Sequence, residues 1–249
     1  LGRITREGVW GTSLGQDEIY YLTGHVTAQK RGVVRCKRAA SGMWTCVDHG
    51  GFVDSTAIGG VVGTMTSASL GRLWAVSYAG YEHIYANDGI STQWSRQAPR
   101  GCSDTTGNPC STTFSTDFRD IYAASESNVW VVGLSGMVMH FDGKIWLRYD
   151  GVFKYQANYD LDAVYSDDAT GLTIIAAHRD LSYGRYVSLY TFNQKLNRWR
   201  GPVTVEKRFD KPLNDAILLD IGGAAPDDLW FVGHSPVIDG TRPWALHLQ

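Results

Sequence analysis

The chain has 249 residues, with 23 basic and 25 acidic side chains and a formal net charge of -2, so it lacks the cationic footprint that a phosphate backbone requires, which argues against nucleic acid as a partner. No apolar run reaches the ~20 residues of a membrane-spanning helix, so no transmembrane segment is expected. A single domain of this length removes roughly 70% of the unfolded chain's surface from water and needs neither a metal nor a cofactor to hold its core.

In chain order, Leu1-Gly2-Arg3 reads as a processed or trimmed start, and residues 1–7 as a strand. A first unit over 8–50 runs from Gly8-Val-Trp-Gly-Thr-Ser13 into Glu18-Ile-Tyr-Tyr-Leu-Thr-Gly24, then Val33-Val-Arg-Cys36 and Trp44. Gly11-Thr-Ser13-Leu-Gly15 spells the nucleophile elbow of serine hydrolases. That elbow needs a helix after it, and here a second strand follows. A second unit over 57–98 carries Gly60-Val-Val-Gly-Thr-Met65, Arg72-Leu-Trp-Ala-Val-Ser77, Asp88-Gly89 and Trp94.

The third unit, 118–150, is the clearest: Asp120-Ile-Tyr-Ala-Ala-Ser-Glu-Ser-Asn-Val-Trp130-Val-Val-Gly133, then Gly136-Met-Val-Met-His140-Phe-Asp-Gly143-Lys-Ile-Trp146. Asp-Gly supplies the positive φ of a tight hairpin. The fourth, 160–203, is a weaker copy, with Asp162-Ala-Val-Tyr165, Val187-Ser-Leu-Tyr190 and Trp199. The fifth, 216–249, repeats the third at an offset of 100 residues: Asp220, Trp230, Gly233, with Trp244 on a further strand.

Four-stranded units with aromatic residues in fixed places and no helical periodicity predict an all-β fold, a β-propeller of five blades. A β-sandwich is the alternative for strands this short. The last unit stops one strand short, and residues 1–7 would complete it, closing the ring and removing open sheet edges. The four cysteines fall in two local pairs, Cys36 with Cys46 and Cys102 with Cys110, neither spaced for zinc or thioredoxin chemistry. Read as disulfides rather than buried thiols, they place the protein in a periplasm, at a cell surface or outside the cell.

Asn128-Val-Trp-Val-Val-Gly133, Leu73-Trp-Ala-Val76 and Asp228-Leu-Trp-Phe-Val-Gly233 resemble the Asp-x-Trp-Ala-Val-Gly propeller repeats of exported bacterial proteins, those of myxobacteria especially. The fourth unit departs from the pattern, with Thr173-Ile-Ile where Trp is expected. The resemblance implies fold and export, and no particular activity.

The long segments 25–31, 48–56, 99–118, 151–159, 178–185, 201–216 and 234–242 all fall on the face where the inner strands begin, and long loops on a rigid scaffold are where binding residues sit. They bring forward Tyr78, Tyr81, Arg179, Tyr183, Arg185, His234 and Arg242 as ligand-binding residues, Tyr and Arg being the types that combine contact area with hydrogen-bonding ends. Asp120, Asp162 and Asp220 open inner strands at the same mouth. As a carboxylate ring they would serve a sugar, a cation or acid/base catalysis; as structural residues they would bind loop amides. Repetition favours the structural role, because a catalytic group does not recur in every blade. The mid-strand Trp74, Trp130 and Trp230 are read as packing between blades. No metalloprotease, P-loop, dinucleotide or calcium-loop motif is present, and His140 belongs to the repeat rather than to a metal site. The reading is therefore a secreted binding module for a protein or a glycan, with a glycoside hydrolase acting through the channel-mouth carboxylates as the alternative.

Overall fold

The computed structural model describes residues 11–13, 17–23, 32–51, 65–68, 72–76, 84–87, 95–96, 102–104, 118–149, 159–181, 184–204, 217–237 and 240–248. These form five sheets. The first holds β1 (Gly11–Ser13), β2 (Glu18–Thr23), β3 (Gly32–Arg38) and β4 (Trp44–Gly51); the second β5 (Met65–Ala68), β6 (Arg72–Val76), β7 (Ile84–Asn87) and β8 (Ser95–Arg96). The third holds β10 (Phe118–Ser125), β11 (Asn128–Gly133), β12 (Val138–Phe141) and β13 (Trp146–Arg148), with β9 (Cys102–Asp104) along its outer edge. The fourth is β14 (Tyr159–Asp167), β15 (Leu172–Leu181), β16 (Gly184–Asn193) and β17 (Arg198–Thr204), and the fifth β18 (Ile217–Ala225), β19 (Asp228–Val237) and β20 (Gly240–Leu248). Apart from β9, each is an antiparallel meander, and the inner strands β1, β5, β10, β14 and β18 lie side by side in chain order, which is the arrangement of a β-propeller. The strand at 1–7 expected to close the ring lies outside the described residues.

Period-2 alternation decides what each sheet face buries. One face of the third sheet, through Ile121, Val129, Met139, Phe141 and Trp146, packs with Trp74, Val76 and Ile84 of the second. Its other face, through Trp130, Val132 and Val138, packs with Leu161, Val164, Ile175 and Phe192 of the fourth. The fourth then packs with Leu218, Ile221, Leu229 and Phe231 of the fifth. The core is thus divided into layers between successive sheets. Because both faces of β11 are covered, every residue of Asn128-Val-Trp-Val-Val-Gly133 is buried.

Of the mid-strand tryptophans, Trp74 and Trp130 pack between blades as expected, whereas Trp230 is exposed. Trp74 lies 5.3 Å from Phe141 and 5.8 Å from Trp146 of the following sheet, and Trp130 lies 5.5 Å from Phe192 and 6.3 Å from Trp199 of the next. In both, the following sheet supplies a directly opposed cross-strand pair, Phe141 with Trp146 and Phe192 with Trp199. At the equivalent register of the first sheet, Ile19 opposes Cys36 and Cys36 opposes Cys46, and these two cysteines form a disulfide. The disulfide therefore takes the place of the aromatic pair. Trp44, assigned by sequence to that place, stands opposite Arg38 instead and is exposed. Replacing Cys36 and Cys46 together by Ser is expected to cost about 2–3 kcal/mol, the loop-closure value for a bridge this local, measured by denaturant unfolding.

Segment 99–118 departs from the loop expected of it, because β9 runs parallel to β13, with Cys102 opposite Trp146. It covers an outer edge that would otherwise offer unpaired backbone groups. Cys110, its proposed disulfide partner, lies outside the described residues. The Asp142-Gly143 turn does form: Gly143 has φ 93°, and Asp142 Oδ1 accepts from the amides of Lys144 and Ile145, each at 2.8 Å. Gly11–Ser13 is a strand leading to the antiparallel β2, so the nucleophile-elbow spelling has no helix behind it among the described residues.

Candidate functional site

The inner strands of the third, fourth and fifth sheets each carry a bulge near their start. In β10 the ladder passes from Phe118 to Asp120, in β18 from Leu218 to Asp220, and in β14 from Leu161 to Ala163. Asp120 and Asp220 are therefore true equivalents, opposite Val132 and Val232. Asp162 is not their equivalent. It is the bulged residue, in register with Arg119 and Leu219, and Ala163 occupies the aspartate position of the fourth sheet. A single-residue slip turns a side chain to the other face, and a bulge re-aims it.

The three carboxylates have correspondingly different surroundings. Asp120 is buried, and both of its oxygens are used: Oδ1 accepts from the Ile121 amide at 2.8 Å and Oδ2 from the Val164 amide of the next sheet at 2.8 Å. Asp220 Oδ1 accepts from Ile221 in the same way, at 2.7 Å. Burial with too little compensation pushes the Asp220 carboxyl up to about 6.

Asp162 instead pairs with Nδ1 of the buried His178, whose Nε2 lies 3.8 Å from Asp160 Oδ2. Asp160 Oδ1 in turn accepts from the amide of Ser135, at 3.2 Å, in the 3-10 turn Leu134–Gly136 that joins β11 to β12. An acidic chain, Asp162–His178–Asp160, thus ties the fourth sheet to the third on the face where the inner strands begin. Burial raises the Asp162 carboxyl above the usual range, opposed by the hydrogen bond and charge of His178 and by the nearby Arg119. Both ring nitrogens of His178 face carboxylates; among the described residues no group of three or more His, Cys, Asp or Glu is arranged to hold a metal.

The residues expected to bind ligand divide. Tyr78, Tyr81 and Tyr183 lie outside the described residues. Arg179, Arg185, His234 and Arg242 lie not in loops but on ladder: β15 and β16 stay paired to Leu181 and Gly184, with Asp180 opposite Arg185, and β19 and β20 to Val237 and Gly240, with Ser235 opposite Arg242. Tyr186, Val187, Val237 and Thr241 favour extended backbone and carry the ladder through segments whose Ser, Gly, Pro and Asp suggested loops. Both hairpins run past the first residues of β14 and β18, so they stand as two arms over the same face. His234, opposite Ile217, is half-buried at the root of the second arm.

The opposite end of the sheets holds a network that sequence reasoning saw only in part. Asn128 Oδ1 accepts from Trp130 Nε1 at 2.7 Å and from Gln194 Nε2 at 3.2 Å, and lies 3.0 Å from His140 Nε2. Its Nδ2 reaches Ser166 and Asp168 of the fourth sheet. His140 stacks on Trp130 at 4.2 Å. The fifth sheet repeats the device: His247 stacks on Trp230 at 4.2 Å and bonds Asp228 Oδ1 at 2.6 Å. The missed signal is a His on the third strand directly opposite Trp130 and Trp230.

Burial holds the His140 imidazole down to about 4, against the pull of Asp142 and Asp168. The unfolded chain therefore takes up this proton first, and stability present above about pH 6.5 is lost as pH falls toward 4. Replacing His140 by Gln is expected to remove that dependence, so the wild-type minus variant unfolding free energy declines between pH 6.5 and 4.

No protein-family model matches the chain, and no curated protein matches it. Solved structures do. The chain superposes on a GH74 xyloglucanase from Xanthomonas campestris with a TM-score of 0.54 at 12% identity, over 93% of its own length and 35% of the other's. It superposes on YCF48 from Cyanidioschyzon merolae with a TM-score of 0.53 at 15% identity, over 96% of its own length and 68% of the other's. The chain thus spans about a third of the xyloglucanase. At such identities the likeness is one of fold.

Proposed function

We propose that this chain is a binding module that takes a protein or carbohydrate ligand on the face where its inner strands begin, between the β15–β16 and β19–β20 arms. The observation that carries the reading is that two of the three carboxylates near the starts of the inner strands are already engaged. Asp120 spends both oxygens on backbone amides, one from the neighbouring sheet, and Asp162 is committed to His178, so neither is free to protonate or attack a substrate. A rigid scaffold with arms over one face, held by polar fastenings rather than reactive groups, suits recognition. The Cys36–Cys46 disulfide supports export to an oxidising compartment, in keeping with the exported bacterial repeats that the sequence resembles.

One observation favours hydrolysis as a second reading: a carboxyl with its pKa near 6, such as Asp220, is suited to a general acid. Glycosidases pair such an acid with a second carboxylate across the scissile bond. The equivalent Asp120 is occupied, which favours binding.

A glycan array and a peptide array probed with the oxidised protein test the proposal, with Arg185→Ala and Arg242→Ala as arm variants. Binding to one ligand class that either variant weakens at least about tenfold, an interface contribution of about 1.4 kcal/mol, is the expected result. Undiminished binding in both variants would move the site off the arms.

A further inference from the structure

The motif Asp228-Leu-Trp-Phe-Val-Gly233 matches Asn128-Val-Trp-Val-Val-Gly133 residue for residue in register, yet its burial differs at every second position. Leu229 and Phe231 are buried against the fourth sheet, while Trp230 is 49% exposed and Val232 38%, with Leu219 beside them at 49%. Trp130 and Val132, their counterparts, are 0% exposed because the fourth sheet covers them. Among the described residues, the fifth sheet therefore has one finished face and one open face. The same face lacks a second fastening. Asp120 receives an amide from the next sheet's inner strand, whereas among the described residues Asp220 receives only its own neighbour's.

We infer that the open face of the fifth sheet is a seat for a further blade of this protein, one that lays a cross-strand aromatic pair over Trp230 and presents an inner-strand amide to Asp220. The specification comes from the two complete copies of the joint. Trp74 and Trp130 are each covered by the sheet that follows in chain order, through Phe141 with Trp146 and Phe192 with Trp199. The first sheet does not fit this description, because the Cys36–Cys46 disulfide stands where the pair should be, with Lys37 and Arg38 exposed next to it. A second copy of the chain would offer that same first sheet.

Hydroxyl-radical footprinting with peptide mass spectrometry tests this on two samples: the 249-residue chain alone, and the protein purified under native conditions from its source. Trp130 is the internal standard for burial. The inference predicts a monomeric 249-residue chain, by light scattering, in which Trp230 is oxidised at least about tenfold faster than Trp130. In the protein from its source, Trp230 falls to the Trp130 rate, and tryptic peptides of an additional sheet accompany it. Protection of Trp230 in the monomeric 249-residue chain would show that the first sheet covers it and would overturn the inference. Protection only in an oligomer of that chain would assign the face to a second copy, and rapid oxidation in both samples would show it uncovered. Either result also overturns it.

Discussion

Trp130→Ala is expected to cost about 3–5 kcal/mol, and Trp230→Ala in the 249-residue chain less than about 1 kcal/mol, although the two residues occupy the same place in the same motif. Trp130 is fully buried between the third and fourth sheets, stacked on His140 and edge-on to Phe192 and Trp199, with its Nε1 bonded to Asn128. Truncation leaves a cavity lined by the rings of His140, Tyr149, Phe192 and Trp199 and a buried amide oxygen deprived of a donor. Trp230 keeps the His247 stack but is half open to water, so its removal opens no cavity. Thermal and denaturant unfolding of the two variants measures the difference. Equal losses would mean that the fifth sheet is covered in the isolated chain.

Asp120→Ala is expected to destabilise by about 2–4 kcal/mol, since two buried amides, those of Ile121 and Val164, lose a charged acceptor at once. Asp120→Asn retains one acceptor oxygen and should fall between that loss and the wild type. The amide of Val164 belongs to the inner strand of the neighbouring sheet, so the loss falls on the joint between blades. Asp220→Asn behaves differently. Its carboxyl is raised to about 6 against 3.8 in the unfolded chain, so the ionised form is disfavoured in the fold. The stability this group contributes is complete below about pH 3.8 and is lost as pH rises through about 6; Asp220→Asn should remove that decline and be no less stable than the wild type at pH 7. A large loss at neutral pH from Asp220→Asn would contradict the distinction between the two aspartates.

Much of the architecture is legible in the sequence because the repeat is carried by residues with a single physical role. Trp130 and Trp230 sit ten residues after an aspartate that fastens the inner strand, and the Asp-Gly turn marks a hairpin through its positive φ. What escapes is whatever depends on register. Asp162 looks like a third copy of Asp120, but a bulge moves it one position and hands its role to Ala163. Cys46 takes the aromatic position that spacing had assigned to Trp44, because the β3–β4 ladder runs two pairs beyond it, Lys37 with Thr45 and Arg38 with Trp44. Segments 178–185 and 234–242 carry turn-forming residues, yet their described residues are ladder; past His234 β19 no longer has β18 beside it, and Pro236 there withholds no bond from that side. The chain Asp162–His178–Asp160 links residues of two strands, brought together only by the pairing of β14 with β15.

We propose that Asp120 and Asp162, near the starts of the inner strands, serve to fasten the fold and that the molecule recognises a ligand without transforming it. The direct test is reducing-end release from a panel of plant and microbial polysaccharides, assayed beside binding on the same samples, for the wild type and Asp220→Asn. Binding without release above the heat-denatured control, unchanged in Asp220→Asn, is the predicted result. Release that Asp220→Asn abolishes while its unfolding temperature is preserved would contradict the account and make the protein a glycoside hydrolase.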